Sequence, residues 1–334
     1  MDCIAVLLFS MLGPKLLNSE GNLNYPIFES LERSIHLAAA GPEPLKAWAL
    51  ASRKLSADVL RLDRIHPVIS GNKWFKLKNY LSLAFQEKRR RVISFGGAWS
   101  NHLLALAYAA QRTGLNSLAF VRGERPKTLS LTLEAAAGFG MEFHFLSGEA
   151  YRHLRDPAIL QSLENQYPDA CLIPEGGAGF LGVSGCQEIL NLTDKENYSH
   201  IFCALGTGTM LRGLLLSAGK DQRVTGISIL NDPVSAEKFR VPGLSPDANL
   251  PQADLQHAYH FGGYARKSPA LIRFMNEFYA ESGVATDFVY TGKLFYGLMD
   301  LATRNYFLPG SKILVIHSGG LQGNRSLPTG TLTF

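Results

Sequence analysis

Ser70-Gly71-Asn72-Lys73-Trp74-Phe75-Lys76-Leu77-Lys78 comes just after the strand-like run Ala57-Asp58-Val59-Leu60-Arg61-Leu62-Asp63. The glycine gives the chain freedom to turn sharply, the asparagine can cap a helix, and a lysine then falls in the first turn of that helix. A cation there sits against the positive end of the helix macrodipole. Two readings are open. Lys73, Lys76 and Lys78 can form one solvated helix face, or Lys73 is no cation at all because its amine is held as an imine with an aldehyde, which burial and the dipole favour over the ammonium.

Around this stretch the pattern alternates strand and helix. The helix over residues 73–88 places Trp74, Leu77, Leu81 and Ala84 on one face, the spacing of a helix laid on a sheet. Strands are expected at 91–95, 117–121, 142–145, 171–173, 201–205, 224–229 and 313–316, with helices from about 101, ending near 138, around 158–164, over 210–217, and from about 269 and 292. Near-continuous apolar strands separated by helices imply parallel sheets covered on both faces. Pro233, Pro242, Pro246 and Pro251 mark a connection expected to be mostly irregular. No internal repeat or low-complexity tract interrupts the pattern.

At 334 residues the chain exceeds one ordinary core, so two domains are expected, and an apolar share of 46% fits a globular enzyme. The net charge of +5 is modest, and its one sharp run, Lys88-Arg89-Arg90-Arg91, lies between a helix and a strand, where a solvated helix end explains it better than a nucleic-acid patch. Cys3, Cys171, Cys186 and Cys203 form no CxxC pair and the histidines show no ligand spacing, so no metal site and no disulfide framework is expected. A reducing, cytoplasmic setting is the default. The apolar run from Cys3 to Gly13 is too short to span a bilayer and is preceded by Asp2 rather than basic residues, so residues 1–20 read as an extension and no membrane partner is expected.

Three further loops look chemical. Ser94-Phe95-Gly96-Gly97-Ala98-Trp99-Ser100-Asn101-His102 runs from a strand through a glycine turn into a helix, whose N-terminus offers free N–H groups to a carboxylate; Ser100 and Asn101 serve equally well as a structural cap. Gly206-Thr207-Gly208-Thr209 lets backbone N–H groups and two hydroxyls converge on a phosphate, and with Gly213 it misses the dinucleotide spacing, so a single phosphate is the reading. Asp287-Phe288-Val289-Tyr290-Thr291-Gly292-Lys293 opens a helix, and Ile316-His317-Ser318-Gly319-Gly320 ends the last strand; Tyr290 and Thr291 can reach a ring nitrogen or donate protons.

Together the four loops, over roughly residues 40–323, resemble the pyridoxal-phosphate enzymes of the tryptophan-synthase-β fold (fold type II), and within them the group holding 1-aminocyclopropane-1-carboxylate deaminase and D-cysteine desulfhydrase. Gly71-Asn72-Lys73 resembles the family's cofactor-lysine segment, Gly96 to Asn101 its loop for the substrate carboxylate and the cofactor's phenolic oxygen, Gly206 to Thr209 its phosphate loop, Tyr290 to Lys293 the segment facing the pyridine ring, and Gly262-Gly263-Tyr264 the place of another active-site tyrosine. The resemblance implies a two-domain α/β fold with parallel-rich sheets flanked by helices. A small mobile domain over 73–176 would close on a large cofactor-binding domain made of 21–72 and 177–334.

It further implies pyridoxal 5'-phosphate as cofactor, a small amino acid as substrate and a homodimer. Lys73 would carry the cofactor and act as the base at Cα, Ser100 would hold the substrate carboxylate, and Asn101 the phenolic oxygen. Gly206, Thr207, Gly208, Thr209, Thr291 and Gly319 would bind the cofactor, with Tyr264 and Tyr290 among the catalytic groups. The deaminases carry glutamate beside the tyrosine, where this chain has Thr291. A neutral hydroxyl forces no charge on the ring, which places D-cysteine-type α,β-elimination above cyclopropane opening. Trp74-Phe75 come after the lysine where better-known members carry small or basic residues, and Trp99 stands where they often have glutamine; both reshape the pocket wall. A non-catalytic cofactor-binding homologue is the alternative of another class.

Overall fold

Two largely parallel sheets carry most of the loops singled out above after the carboxyl ends of their strands. The structure, a computed structural model, describes residues 26–154, 156–231 and 252–334. The expected N-terminal extension and the proline-rich connection lie outside the described residues. The strands are β1 (Pro42–Pro44), β2 (Ser56–Leu60), β3 (Arg91–Gly97), β4 (Asn116–Arg122), β5 (Met141–Leu146), β6 (Ala170–Leu172), β7 (His200–Leu205), β8 (Arg223–Ser228), β9 (Gln252–Gln256) and β10 (Lys312–Ile316). The helices are α1 (Pro26–Arg33), α2 (Trp48–Ala51), α3 (Lys73–Gln86), α4 (Asn101–Thr113), α5 (Leu131–Gly138), α6 (Gly148–His153), α7 (Pro157–Gln166), α8 (Phe180–Gln187), α9 (Thr209–Ser217), α10 (Pro269–Ser282) and α11 (Thr291–Thr303).

One sheet has the order β1-β2-β10-β7-β8-β9 and the other β5-β4-β3-β6. Every neighbouring pair is parallel except β1 with β2. The antiparallel β1 was not visible in the sequence. Its Pro42 and Pro44 cannot donate to a ladder on both sides, and they are tolerated because β1 lies at an edge. The second departure is β9, which begins directly after Pro251 where irregular chain was expected; it adds to β8 in parallel register from Arg223↔Gln252 to Ile227↔Gln256.

The central strands are buried almost end to end, β10 from Ile313 to Ile316 and β7 from Ile201 to Leu205, because helices cover both faces. One apolar cluster links the two sheets: Val92 of β3, Leu77 and Leu81 of α3, Leu106 of α4, Cys186 of α8, and Ile201 and Leu314 of the larger sheet. A second fills the other face of that sheet with Phe202, Met275, Phe295 and Val315. α3 buries Trp74, Phe75, Leu77, Tyr80, Leu81 and Ala84, and also Lys76. The solvated face suggested for Lys73, Lys76 and Lys78 is therefore not formed: α3 packs against α8 on one side and α4 on the other, which leaves no wetted stripe at Lys76.

Candidate active site

Lys73 begins α3 on a turn that only glycine can make. Gly71 has φ +68°, and a Cβ there would fall 1.9 Å from the carbonyl oxygen of Ser318. The N–H of Asn72 donates to that same oxygen at 3.2 Å, which ties the start of α3 to the end of β10. Asn72 does not cap the helix by its side chain, contrary to expectation. Its Oδ1 instead accepts from Lys73 Nζ at 2.6 Å, and its Nδ2 lies 3.4 Å from Met210 Sδ. Burial, reinforced by the charge of Lys76, pushes the Lys73 amine down to about 7, against the opposing pull of Asp287. The amine lies 6.0 Å from the centre of the Tyr290 ring.

Lys76, one turn along α3, points at the phosphate-type loop. Its Nζ lies 3.4 Å from Thr207 Oγ1, which is 3.0 Å from Thr209 Oγ1. Burial pushes this amine below its usual range, and no described carboxylate pairs with it. Buried thiols surround it instead: Cys186 and Cys203 are both pushed up to about 12 by burial. A buried cation beside two hydroxyls and the open start of α9 makes a receptor for an anion. A Cβ on Gly206 would lie 3.4 Å from Tyr290 Cε1, so this loop is also packed against the tyrosine over Lys73.

Ser100 caps α4, accepting from the N–H of Leu103 at 3.3 Å. Its own proton has no acceptor among the described residues. Asn101 is buried, and its Oδ1 has no hydrogen-bond partner among the described residues. The Nδ2 of Asn101 faces Gly320, whose added Cβ would lie 3.5 Å from it and 3.1 Å from Asp287 Oδ1. Next to it, His102 Nε2 is 2.8 Å from Ser94 Oγ, and Ser94 gives its proton to Ile173 O at 2.8 Å. Nε2 is therefore the protonated ring nitrogen. Burial and the two lysine charges push His102 down to about 3, so it stays neutral.

The turn into α11 is organised by Asp287, a fully buried carboxylate. Its Oδ2 accepts from the N–H groups of Val289 and Tyr290 at 2.9 Å each, and its Oδ1 from the N–H of Thr291 at 2.9 Å and the hydroxyl of Thr291 at 2.7 Å. The Thr291 oxygen in turn accepts from the N–H of Asp287 at 2.8 Å. Thr291 is thus not a free hydroxyl. Burial keeps the phenol of Tyr290 protonated, and it hydrogen-bonds with Tyr264, whose ring is 6.0 Å away edge-on. Tyr264 is held from below: Lys293, wholly buried, donates to His260 O at 2.8 Å and Gly263 O at 2.7 Å. Burial pushes the Lys293 amine down to about 8.

The end of β10 is fixed from behind. His317 Nε2 donates to Ala285 O at 2.8 Å, and its Nδ1 lies 3.3 Å from Asp63 Oδ1. Burial works against the charged Asp63, but the two hydrogen bonds from Arg61 and the neighbouring His317 outweigh it and hold the carboxyl below its usual range. A Cβ on Gly319 would lie 2.9 Å from Gly71 Cα, so Gly319 shares the turn of Lys73.

The structure thus brings Lys73, Tyr290, Tyr264, the Gly206–Thr209 loop, Asn101 and Gly319 into one neighbourhood, with Ser100 capping the helix that Asn101 begins and Thr291 held against Asp287. Lys76, Asp287 and Lys293 were missed as contributors. A lysine three residues after Lys73 was the available signal for Lys76, since i and i+3 share a helix face.

An amine held near neutrality beside an anion receptor, two protonated phenols and an unpaired buried amide oxygen define a site for an aldehyde cofactor that carries a phosphate. The chain belongs to the pyridoxal-phosphate dependent enzyme family, whose pattern matches residues 37–319. Among curated proteins it is 29% identical to the bifunctional D-cysteine desulfhydrase/1-aminocyclopropane-1-carboxylate deaminase of Arabidopsis thaliana, over 84% of this chain and 77% of that one. It is 27% identical to the D-cysteine desulfhydrase of Salmonella newport, over 84% and 92%. Among solved structures, an ACC deaminase homologue superposes with TM-score 0.72 at 26% identity, covering 90% of this chain and 97% of the other. The protein is a pyridoxal-phosphate-dependent enzyme with the fold those relatives share.

Proposed function

We propose that the protein catalyses α,β-elimination on a small amino acid of the D-cysteine type, giving pyruvate, ammonia and sulfide. The observation that carries this reading is the amine of Lys73, pushed by burial down to about 7 while it rests on Asn72 Oδ1. A lysine half neutral at pH 7 can take the Cα proton, which an ordinary ammonium cannot. When bound, pyridoxal phosphate supplies the electron sink for the pair left at Cα. Thr207, Thr209 and Lys76 would hold the phosphate, Asn101 the phenolic oxygen, and Ser100 with the N-terminus of α4 the substrate carboxylate. Tyr290, kept protonated by burial and coupled to Tyr264, would donate a hydrogen bond to a departing thiolate. Residues 73–176 would move as the small domain that excludes water.

One observation favours cyclopropane opening as a second reading. Thr291 donates its only hydroxyl proton to the Asp287 carboxylate and accepts from the Asp287 N–H, so towards any further partner it offers one lone pair, with a carboxylate behind it. A ring nitrogen facing such a group would be held protonated, as ring opening requires. The two readings separate in one assay of the cofactor-loaded protein: pyruvate from D-cysteine against 2-ketobutyrate from 1-aminocyclopropane-1-carboxylate. Faster release of pyruvate is expected. Faster ketobutyrate gives the second reading, and cofactor binding without turnover of any amino-acid enantiomer overturns both.

A further inference from the structure

β4 ends on Arg122, which lies in register with Gly97 of β3 and so stands at the carboxyl edge beside the Ala98-Trp99-Ser100-Asn101 loop. A Cβ on Gly97 would lie 3.7 Å from Arg122 Nη2, so the guanidinium crosses the bare backbone of that loop. Behind it is the buried ring of Tyr151, 6.0 Å from Arg122 Cζ. Its charge is felt at the phenol of Tyr264, less strongly than those of Asp287 and Glu175. Tyr264 abuts Tyr290, and Tyr290 abuts Lys73, while Arg122 stands at the end of β4 beside the loop that carries Ser100 and Asn101.

Among the described residues Arg122 has no ion-pair partner; its one contact of note is the Tyr151 ring. The next segment adds Arg125 and Lys127 against a single acid, Glu124, and the hydroxyl of Ser130 donates to Ala98 O, which fastens the segment to the substrate loop. Glu175, the carboxylate that also acts on Tyr264, comes after β6, on the other side of β3 from Arg122.

We propose that Arg122 recognises a second anionic group on the substrate, a carboxylate or sulfonate borne by the β-substituent, so that the preferred substrates are β-substituted amino acids with an anionic tail. The proposal rests on the elimination reading above. The α-carboxylate is already served by Ser100 and the α4 N-terminus, and a guanidinium braced on an aromatic ring presents its fork to one planar anion. In the step itself the Cα proton passes to Lys73, the Cβ–S bond breaks with its electron pair on sulfur, and the tail leaves as a thiolate-bearing carboxylate that takes its proton from water, while the remaining three-carbon fragment is hydrolysed by water to pyruvate and ammonia.

The test compares S-carboxymethylcysteine with S-carbamoylmethylcysteine, which differ in the charge of the tail, as both enantiomers and with β-chloroalanine as a tail-free control. The expected kcat/KM favours the carboxylate by about tenfold or more, as for a charge-assisted hydrogen bond. Arg122→Gln should abolish that preference and leave β-chloroalanine unchanged, Arg122→Lys should keep part of it, and Arg122→Glu should reverse it. Equal use of the two tails by the wild type, or an equal loss on both and on β-chloroalanine in Arg122→Gln, overturns the proposal. Failure of the elimination reading looks different: no keto acid from β-chloroalanine. In that case calorimetry with the 2-methyl analogues, which lack the Cα proton, decides the role of Arg122 by itself, since tenfold tighter binding of the charged tail is required and equal binding refutes it.

Discussion

Thr291 gives its hydroxyl proton to Asp287 Oδ1 at 2.7 Å, and takes one from the Asp287 N–H at 2.8 Å. This closed pair sets the turn from which Tyr290 reaches over Lys73. Thr291→Val removes both bonds and strands two buried partners, so it should lower unfolding stability by about 1–3 kcal/mol, while Thr291→Ser, which keeps both, should cost less than about 1 kcal/mol. Urea denaturation of the cofactor-free proteins measures both. A larger loss in Thr291→Ser than in Thr291→Val would mean that methyl packing, not the hydroxyl, matters there.

Asp287 collects four hydrogen bonds, with no cation in contact among the described residues. Asp287→Asn replaces an acceptor with a donor facing N–H groups, and a loss of about 2–4 kcal/mol is expected from breaking such a buried network. The same variant should shift the visible absorption of the bound cofactor if the carboxylate acts through Thr291 on the ring. Loss of stability with an unchanged spectrum would confine Asp287 to the turn.

Most of the larger sheet and all of the smaller one were legible in the sequence, because strands such as Ile313-Leu314-Val315-Ile316 are apolar on both faces and fix their own burial. The site was legible as loops but not as contacts. Asp287 could be quoted as part of a turn, yet nothing local says that Val289, Tyr290 and Thr291 would all point N–H groups at it. Lys76 was concealed by its neighbours, since three lysines at 73, 76 and 78 carry the pattern of a solvated face until α8 is known to cover it. Asn72 has the right residue type for a cap, but the amine beside it competes for the same oxygen, and the amine wins. β1 and β9 are short edge strands whose pairing is decided by their neighbours rather than by their own composition.

Lys76 distinguishes a phosphate from its absence. Lys76→Met keeps the volume of the stem within the apolar cluster and removes the charge at Thr207. Affinity for pyridoxal 5'-phosphate should fall by about 1.5–3 kcal/mol, the range for a hydrogen bond to a charged group, while affinity for unphosphorylated pyridoxal stays level. Titration of the cofactor-free protein by absorbance gives both constants. A parallel fall for the two aldehydes would place the phosphate elsewhere.

Lys293 holds the chain that carries Tyr264, through His260 O and Gly263 O. Lys293→Met should leave both carbonyls unpaired and loosen residues 260–264, so cleavage by a protease in that segment should quicken. Turnover should fall as far as in Tyr264→Phe, and the double variant should fall no further, because the lysine acts through the tyrosine. Additive losses would give Lys293 a separate part in the reaction.

Lys73 makes the stability of the cofactor-free protein depend on pH in a definite direction. Its amine titrates near 7 when folded and near the ordinary lysine value when unfolded, so between those limits the unfolded chain binds more protons and raising the pH favours the folded form. Below pH 7 the folded protein must charge a buried amine, and the penalty is present in full. Lys73→Met removes the penalty at every pH. The variant should therefore be more stable than the wild type at pH 6, and its advantage should shrink as the pH rises from 7 towards 10. Paired urea midpoints at pH 6, 8 and 9.5 read this directly, and the difference cancels the titration of Lys293, which both proteins retain, leaving that of Lys73 with its coupling to Lys76. An advantage that does not change with pH would mean that the amine is charged in the fold, and the base assigned to Cα would be lost with it.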